Sequence, residues 1–381
     1  MCFATPVVLG GHRKVGRGPG RSAARSALVL CLLGFAVLVV ACGSPTANST
    51  GSSGTGLAVA YGPPVPSSGC ASAPQAPVTE ADRTVEVGGV DRTYLLTTPA
   101  LTAAGPRVGG RKTPAGPALR SAVARPLVLD FHGLGEGARL EAQTTQFGPL
   151  GQKDGFVVVF PNGTGTPISW DTSPGPHNAD LAYVTALLAQ VESTLCIDTS
   201  RVYATGFSDG ALMASLLACT MSTRFAAVGP VSGLALPTPC RPRRAIPIVT
   251  FHGTADPILY FNGGVGTAFL NHLFEGGPPP PTTTTLPPKL DGSGVPATVN
   301  EWAKKNGCGS HFTDTTLGTQ VILRTYPCPS RTGVDFYIVL GGGHAWPGSA
   351  FSRSITSVTG FTTFQVDATL RIWDFFRHFQ L

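Results

Sequence analysis

Short apolar runs alternate with stretches in which apolar residues recur at helical spacing. A hairpin is predicted over 83–96, around Gly88-Gly89. Further buried strands are predicted at 126–131, 156–160, 202–205, 226–231, 246–251 and 336–339. Helical patterns occur at 180–196, 211–221, 298–306 and 366–379. This alternation predicts an α/β fold with a mostly parallel sheet covered by helices on both faces, and ligands of such sheets bind at the carboxyl ends of the strands.

The strand at 202–205 runs into Gly206-Phe207-Ser208-Asp209-Gly210, and a helical pattern follows directly. A Gly-x-Ser-x-Gly turn between strand and helix exposes the serine hydroxyl above the helix N-terminal amides. Because the chain holds 48 glycines, the five letters could arise by chance, so the flanking strand and helix carry the inference. We expect Ser208 to be a nucleophile; the alternative is an ordinary tight βα turn.

A serine nucleophile needs a general base, and in α/β-hydrolases that base follows the serine and the acid in the chain. His344 lies in a glycine-rich turn, Gly341-Gly342-Gly343-His344, directly after the strand at 336–339. We therefore expect His344 to be the base, with a surface-loop histidine as the alternative. The other histidines after Ser208 fit less well: His252, His272 and His311.

The base in turn needs an orienting carboxylate. Asp256 lies just beyond the strand at 246–251, which places it at the same sheet edge as His344. We expect Asp256 to be this acid; the alternative is a helix-capping or turn aspartate. The other aspartates lie in loops, before strands, within helices or on the turn itself, which disfavours them as the acid: Asp209, Asp291, Asp335 and Asp367.

The strand at 126–131 ends in His132-Gly133-Leu134-Gly135, where esterases place an oxyanion loop. We expect the backbone amides of Asp209 and Leu134 to donate to the oxyanion, with His132 and Gly133 bordering the substrate. Trp170 and Trp346 are expected near the cleft, where they could stack on a flat ring or a sugar, although core packing explains both tryptophans equally well.

Residues 1–41 have the features of a signal peptide, with a basic leader followed by an apolar core at 27–40. The ending Val39-Val40-Ala41-Cys42 resembles a bacterial lipobox, which implies lipidation of Cys42; a plain secretory signal is the alternative. Residues 42–69 are expected to form a flexible tether, and 70–381 the folded domain, with loop insertions near 101–125 and 276–291. Together these features predict an extracytoplasmic protein, either anchored to the membrane through Cys42 or secreted.

The leader carries five of the 27 basic residues and none of the 21 acidic ones. The rest of the chain is therefore almost neutral, and nothing indicates a nucleic acid as partner.

Six cysteines beyond Cys42 predict three disulfides in an exported chain. Proximity in sequence favours Cys308–Cys328 and Cys219–Cys240, which leaves Cys70–Cys196. Metal-ligand spacings are missing from the sequence, and we expect no metal and no cofactor.

The segments FHGLGEG, PNGTG, GFSDG, HGTADPI and GGGHAWPG occur in this order. With the cysteine positions, they resemble the polyhydroxybutyrate depolymerase-like esterases, and among them the feruloyl esterases of the α/β-hydrolase group, over 69–381. The resemblance implies a catalytic triad of Ser208, Asp256 and His344. The insertions near 101–125 and 276–291 are longer than the resemblance leads one to expect, which bears on substrate preference rather than on the chemistry.

These observations predict a serine carboxylic ester hydrolase that acts through an acyl-enzyme on feruloyl, acetyl or short hydroxyacyl esters, whether polysaccharide-linked or of the polyhydroxyalkanoate type. Two alternatives remain open. One is a non-catalytic envelope lipoprotein that uses the same fold for binding. The other is an acyl transferase with an acceptor other than water, because both half-reactions use the same groups.

Overall fold

The computed structural model describes residues 62–72, 76–99, 123–267, 271, 275–276 and 287–381. The predicted signal peptide, Cys42, most of the tether, and the greater parts of both insertions lie outside the described residues. Within the described part of the chain, no helix combines the length and apolar character needed to cross a membrane.

The described residues form a ten-stranded sheet in the order β1-β2-β4-β3-β5-β6-β7-β10-β9-β8. Its strands are β1 (Ala81–Val87), β2 (Val90–Thr97), β3 (Arg125–Phe131), β4 (Val157–Pro161), β5 (Ile197–Phe207), β6 (Ala227–Val231), β7 (Ile248–Gly253), β8 (Thr313–Leu317), β9 (Val321–Thr325) and β10 (Val334–Val339). The central strands from β4 to β10 pair in parallel, and the strands at the two edges pair antiparallel.

Helices cover both faces of the sheet, as the sequence predicts. They are α1 (Ala138–Thr145), α2 (Phe147–Asp154), α3 (Ala179–Thr194), α4 (Asp209–Thr220), α5 (Val295–Lys305), α6 (Ala350–Ser354), α7 (Thr356–Thr359) and α8 (Ala368–Phe376). Tyr183 and Trp302 belong to a core cluster on one face, with helices α3, α4 and α5. Phe147 and Trp373 belong to a second cluster on the other face, with α1, α2 and α8. The mostly parallel α/β architecture is therefore confirmed.

Strands β8 and β9 and helices α1, α2, α6 and α7 were not predicted from the sequence. Strands β8 and β9 form an edge hairpin whose first strand, Thr-Asp-Thr-Thr-Leu, is largely exposed and lacks apolar alternation. Helix α2 contains Gly148, Pro149 and Gly151, which have low helix propensity. It is held by burial of Phe147 and Leu150, a tertiary contact that local propensity does not report.

The N-terminal segment is tied to the start of β5. The disulfide Cys70–Cys196 joins them, and the Val65 amide donates to Asp198 Oδ1 at 2.9 Å. The last residues of the expected tether thus lie on the domain, which begins at or before Val65 rather than at Cys70. Disulfides Cys219–Cys240 and Cys308–Cys328 complete the pairing expected from the sequence.

A buried ion pair fixes the loop at 162–171, which follows β4 at the carboxyl edge of the sheet. Arg92 Nη2 donates to Asp180 Oδ1 at 2.7 Å and to the carbonyl of Asn162 at 3.1 Å. Asp180 Oδ2 accepts from the Asp171 amide at 2.7 Å. The guanidinium also lies 4.0 Å from the centre of the Tyr183 ring. One pair therefore holds both ends of this loop.

We expect Asp180→Ala to lower the free energy of unfolding by about 3–5 kcal/mol, because it leaves the Arg92 charge buried without a partner. Denaturant unfolding of the wild type and the variant measures the loss. The exposed pair Arg139–Asp82 provides the control, and Asp82→Ala should cost at most about 1 kcal/mol. Equal losses in the two variants would contradict the assignment.

Candidate active site

Ser208 stands on a sharp turn between β5 and α4. Its backbone has φ 55° and ψ −115°, an unusual conformation for a residue with a side chain. A Cβ atom at Gly210 would lie 1.8 Å from the carbonyl oxygen of Phe131, and one at Gly206 would lie 2.5 Å from the same oxygen. Both glycines of the motif are therefore required by the close passage of β3. This is the strand–turn–helix geometry expected of a nucleophile elbow.

His344 and Asp256 meet at the same edge of the sheet. His344 Nδ1 lies 2.8 Å from Asp256 Oδ2, and both side chains are buried. The other carboxylate oxygen of Asp256 accepts from the amides of Ile258 and Leu259. Burial alone would raise the pKa of Asp256, but the neighbouring His344, with further help from His252, holds that pKa below its usual value. An ionised carboxylate can only accept, so Nδ1 carries the proton and Nε2 is left as a base.

The imidazole of His344 is close to the elbow. Its ring centre lies 4.9 Å from that of Phe207, the residue before Ser208. The backbone amide of His344 donates to Thr359, and that of Gly343 donates to Phe361, which fixes the glycine-rich turn. The chain thus brings together the elements that carry Ser208, Asp256 and His344. Such a set can deprotonate a serine hydroxyl and return the proton to a leaving group.

His252, near the end of β7, lies beside Asp256. Its Nε2 lies 2.7 Å from the Leu259 carbonyl oxygen and 3.3 Å from Asp256 Oδ2. Because a carbonyl only accepts, Nε2 carries the proton. Burial lowers the pKa of His252, so the ring packs under the site as a neutral group.

His132 anchors the His-Gly turn and does not face the cleft. The side chain is fully buried, and the amide of Gly163 donates to Nε2 at 3.0 Å. Nδ1 therefore carries the proton and donates to the Gly133 carbonyl at 2.7 Å. Burial lowers the pKa of His132 to about 4, which keeps the ring neutral in this bridge. The expectation that His132 borders the substrate is corrected by this burial.

The backbone amides of the two expected oxyanion donors, Leu134 and Asp209, have no hydrogen-bond acceptor among the described residues. Asp209 is the first residue of α4, where an amide has no intrahelical acceptor. Both amides therefore remain able to bind an oxyanion.

Trp170 connects the two chain segments that carry these amides. Its backbone amide donates to Asp209 Oδ2 at 2.9 Å, and its indole Nε1 donates to the His132 carbonyl at 2.9 Å. The ring packs edge-on against Phe131 and is 6% exposed. Trp170 thus borders the cleft as a bridge, and little of its surface is left for stacking on a substrate.

Trp346 lies in the core rather than in the cleft. It is 1% exposed, packs against Phe147, and donates from Nε1 to Thr369. This burial favours the packing alternative for Trp346.

Sequence reasoning missed a set of buried carboxyls beneath the His-Gly turn. Asp130 on β3 accepts from Thr145 Oγ1, and burial raises its pKa to about 7. Glu141 on α1 is fully buried beside Asp130, and burial together with this like charge raises its pKa well above the usual value. β3 is buried at every position from Leu127 to Phe131, so its pattern does not distinguish Asp130, and nothing local pairs Asp130 with Glu141. Among the described residues, no cluster of histidine, cysteine or acidic side chains could hold a metal ion.

Comparison with known proteins finds a matching family and several similar proteins. Residues 112–268 match the family described as esterase PHB depolymerase, a stretch that includes Ser208 and Asp256. Feruloyl esterase B of Piromyces equi is 27% identical over 230 residues, which are 58% of this chain and 40% of that protein. A protein of Nocardia uniformis subsp. tsuyamanensis described as an esterase, NocK, is 29% identical over 318 residues, covering 79% of this chain and 84% of that one.

Feruloyl esterase C of Emericella nidulans is 36% identical over 112 residues, which are 29% of this chain and 40% of that protein. This chain therefore covers less than half the length of both feruloyl esterases. The matches confirm the resemblance to the polyhydroxybutyrate depolymerase-like and feruloyl esterases, and they agree with the α/β-hydrolase fold described above.

Asp209 predicts a specific pH dependence of stability. Burial raises its pKa to about 6, although the Trp170 amide opposes the shift. On raising the pH from 4 to 6, the unfolded chain releases this proton before the folded chain does, so the free energy of unfolding falls. Asp209→Asn keeps an acceptor for Trp170 and removes the titration.

Denaturant unfolding at pH 4 and pH 6.5 should therefore show the wild type losing about 1–2 kcal/mol relative to Asp209→Asn, after allowance for partial exposure. Other titrating groups cancel in this difference. If the difference in free energy of unfolding between the wild type and Asp209→Asn stays constant from pH 4 to pH 6.5, the pKa of the Asp209 carboxyl is not raised.

Proposed function

We propose that this chain, a relative of the polyhydroxybutyrate depolymerase-like and feruloyl esterases, is a serine carboxylic ester hydrolase that works through an acyl-enzyme. The observation that carries the proposal is the 2.8 Å contact between His344 Nδ1 and Asp256 at the sheet edge that presents Ser208. The strained backbone at Ser208 supports it, because such strain persists where a side chain must be held exposed.

In the proposed reaction, His344 Nε2 takes the proton of the Ser208 hydroxyl as Oγ attacks the ester carbonyl carbon. The resulting oxyanion accepts hydrogen bonds from the amides of Leu134 and Asp209. The intermediate collapses, the alcohol leaves with the proton from His344, and Ser208 remains acylated. Water activated by the same imidazole then attacks the acyl-enzyme, and the acid leaves.

The proposed substrates are feruloyl, acetyl or short hydroxyacyl esters attached to a carbohydrate or another polymer. Two relatives named as feruloyl esterases support the first class. Of the polymer-borne esters, we propose those on carbohydrate rather than a solid polyester, in line with these two relatives.

We also propose that the protein acts outside the cytoplasm. Its three disulfides support this location, because such bonds persist in oxidising compartments. The basic leader and apolar core of residues 1–41 support export, and the lipobox-like ending supports a lipid anchor at Cys42. Residues 43–61, rich in Ser, Gly and Thr, would then hold the domain away from the membrane.

Ser208→Ala should lower the hydrolysis of p-nitrophenyl acetate by at least about 10³-fold, because no acyl-enzyme can form. Initial rates measured on folded, oxidised protein test this. Ser193→Ala, on the exposed face of α3, is the control and should keep the wild-type rate. Equal turnover by the wild type and Ser208→Ala would overturn the proposal.

The substrate class is tested by comparing kcat/KM for methyl ferulate, acetylated xylan and 3-hydroxybutyrate oligomers. We expect methyl ferulate or acetylated xylan to be turned over faster than the oligomers. The reverse order would assign the enzyme to polyester degradation and contradict the preference for carbohydrate-borne esters.

A further inference from the structure

Glu136 folds back over the start of the His-Gly turn. Its carboxylate oxygen Oε2 accepts from the Gly133 amide at 2.9 Å. The Glu136 backbone amide in turn donates to the Gly133 carbonyl at 3.2 Å. The two residues therefore exchange two hydrogen bonds, one accepted by the Glu136 side chain and one between backbone groups. Together these bonds close the four-residue turn 133–136.

Three of the four backbone amides in this turn have hydrogen-bond acceptors. Gly133 N is bound by Glu136, Gly135 N donates to Ile168, and Glu136 N donates to Gly133. Among these four residues, each of which the structure describes, Leu134 alone has an amide without a partner. The geometry of the turn thus singles out the amide that the proposed reaction needs.

Gly133 and Glu136 also fit each other sterically. A Cβ atom at Gly133 would lie 2.8 Å from Glu136 Oε2, and its three nearest neighbours would all be atoms of the Glu136 carboxyl group. The φ angle at Gly133 lies outside the left-handed region that favours glycine. Close approach of this carboxyl group is therefore a reason for glycine at position 133.

The carboxyl group is partly shielded from water and lies close to other titratable groups. Burial raises its pKa, while the Gly133 amide and the nearby His344 oppose the shift. The charge of Glu136 also contributes to the raised pKa of Glu141 on helix α1. A carboxyl oxygen accepts a hydrogen bond in either protonation state, so the contact with Gly133 does not require Glu136 to be ionised.

We propose that Glu136 is a positioning residue that holds the turn 133–136 so that the Leu134 amide faces the oxyanion. This inference rests on the proposed esterase function. The side chain acts by accepting a hydrogen bond from the Gly133 amide, which requires the length of a glutamate side chain. The reaction does not require its negative charge. A misplaced donor weakens the transition state more than the bound substrate, because the oxyanion forms only as Ser208 attacks.

The variants Glu136→Gln and Glu136→Asp distinguish the effect of side-chain length from the effect of charge. Glutamine keeps the length and an accepting oxygen but carries no charge, so its kcat should stay within about threefold of the wild type. Aspartate keeps the charge but is one methylene shorter, so kcat should fall by about 10- to 100-fold with KM nearly unchanged. Affinity for phenylboronic acid, which forms a tetrahedral adduct on serine, should fall by a similar factor.

Glu86→Gln, on the exposed side of β1, is the matched control and should leave every parameter unchanged. Thermal unfolding of each variant shows whether a lower rate reflects a loss of folded protein or a lower kcat. If Glu136→Asp retains activity and Glu136→Gln loses it, the charge rather than the length of the side chain is required, and the proposal fails. It fails equally if both variants match the wild type. Failure of the esterase proposal is distinguishable, because the wild type itself would then show no turnover that depends on Ser208.

Discussion

The approach of β3 to the first turn of α4 is the constraint on which the site depends. The carbonyl of Phe131 lies so close to Gly210 that no side chain fits between them, and Ser208 adopts φ 55° above this contact. Strain of this kind costs about 1–3 kcal/mol and is held by the surrounding packing. Because β3 ends there, the turn that follows Phe131 must start beside Ser208. Ser208 and the turn 133–136 are therefore positioned by one backbone contact.

The loop at 162–171 then fixes the turn from outside. Gly163 binds the His132 ring, Ile168 accepts from Gly135, and Trp170 reaches both His132 and Asp209. The buried pair of Arg92 and Asp180 holds the two ends of this loop. Stability and proposed function are thus linked, since a change at the ion pair would loosen the loop that contacts both proposed oxyanion donor segments.

The elements that sequence predicted well are those whose position follows from strand ends. Ser208, Asp256 and His344 each follow the end of a central strand, and parallel strands bring their carboxyl ends to one edge. Burial of individual side chains could not be derived in this way. The buried bridge of His132 and the core position of Trp346 depend on Gly163 and Thr369, contacts that no local pattern encodes.

Covalent labelling of the wild type and His344→Ala with a fluorophosphonate probe, followed by intact-mass and peptide analysis, tests the central claim most directly. A serine activated by its own base and oxyanion donors should take up one probe per chain, at Ser208. Loss of the imidazole should slow this labelling by at least about 10²-fold, since general-base assistance is removed. Labelling elsewhere, no labelling, or equal rates in the two proteins would contradict the account.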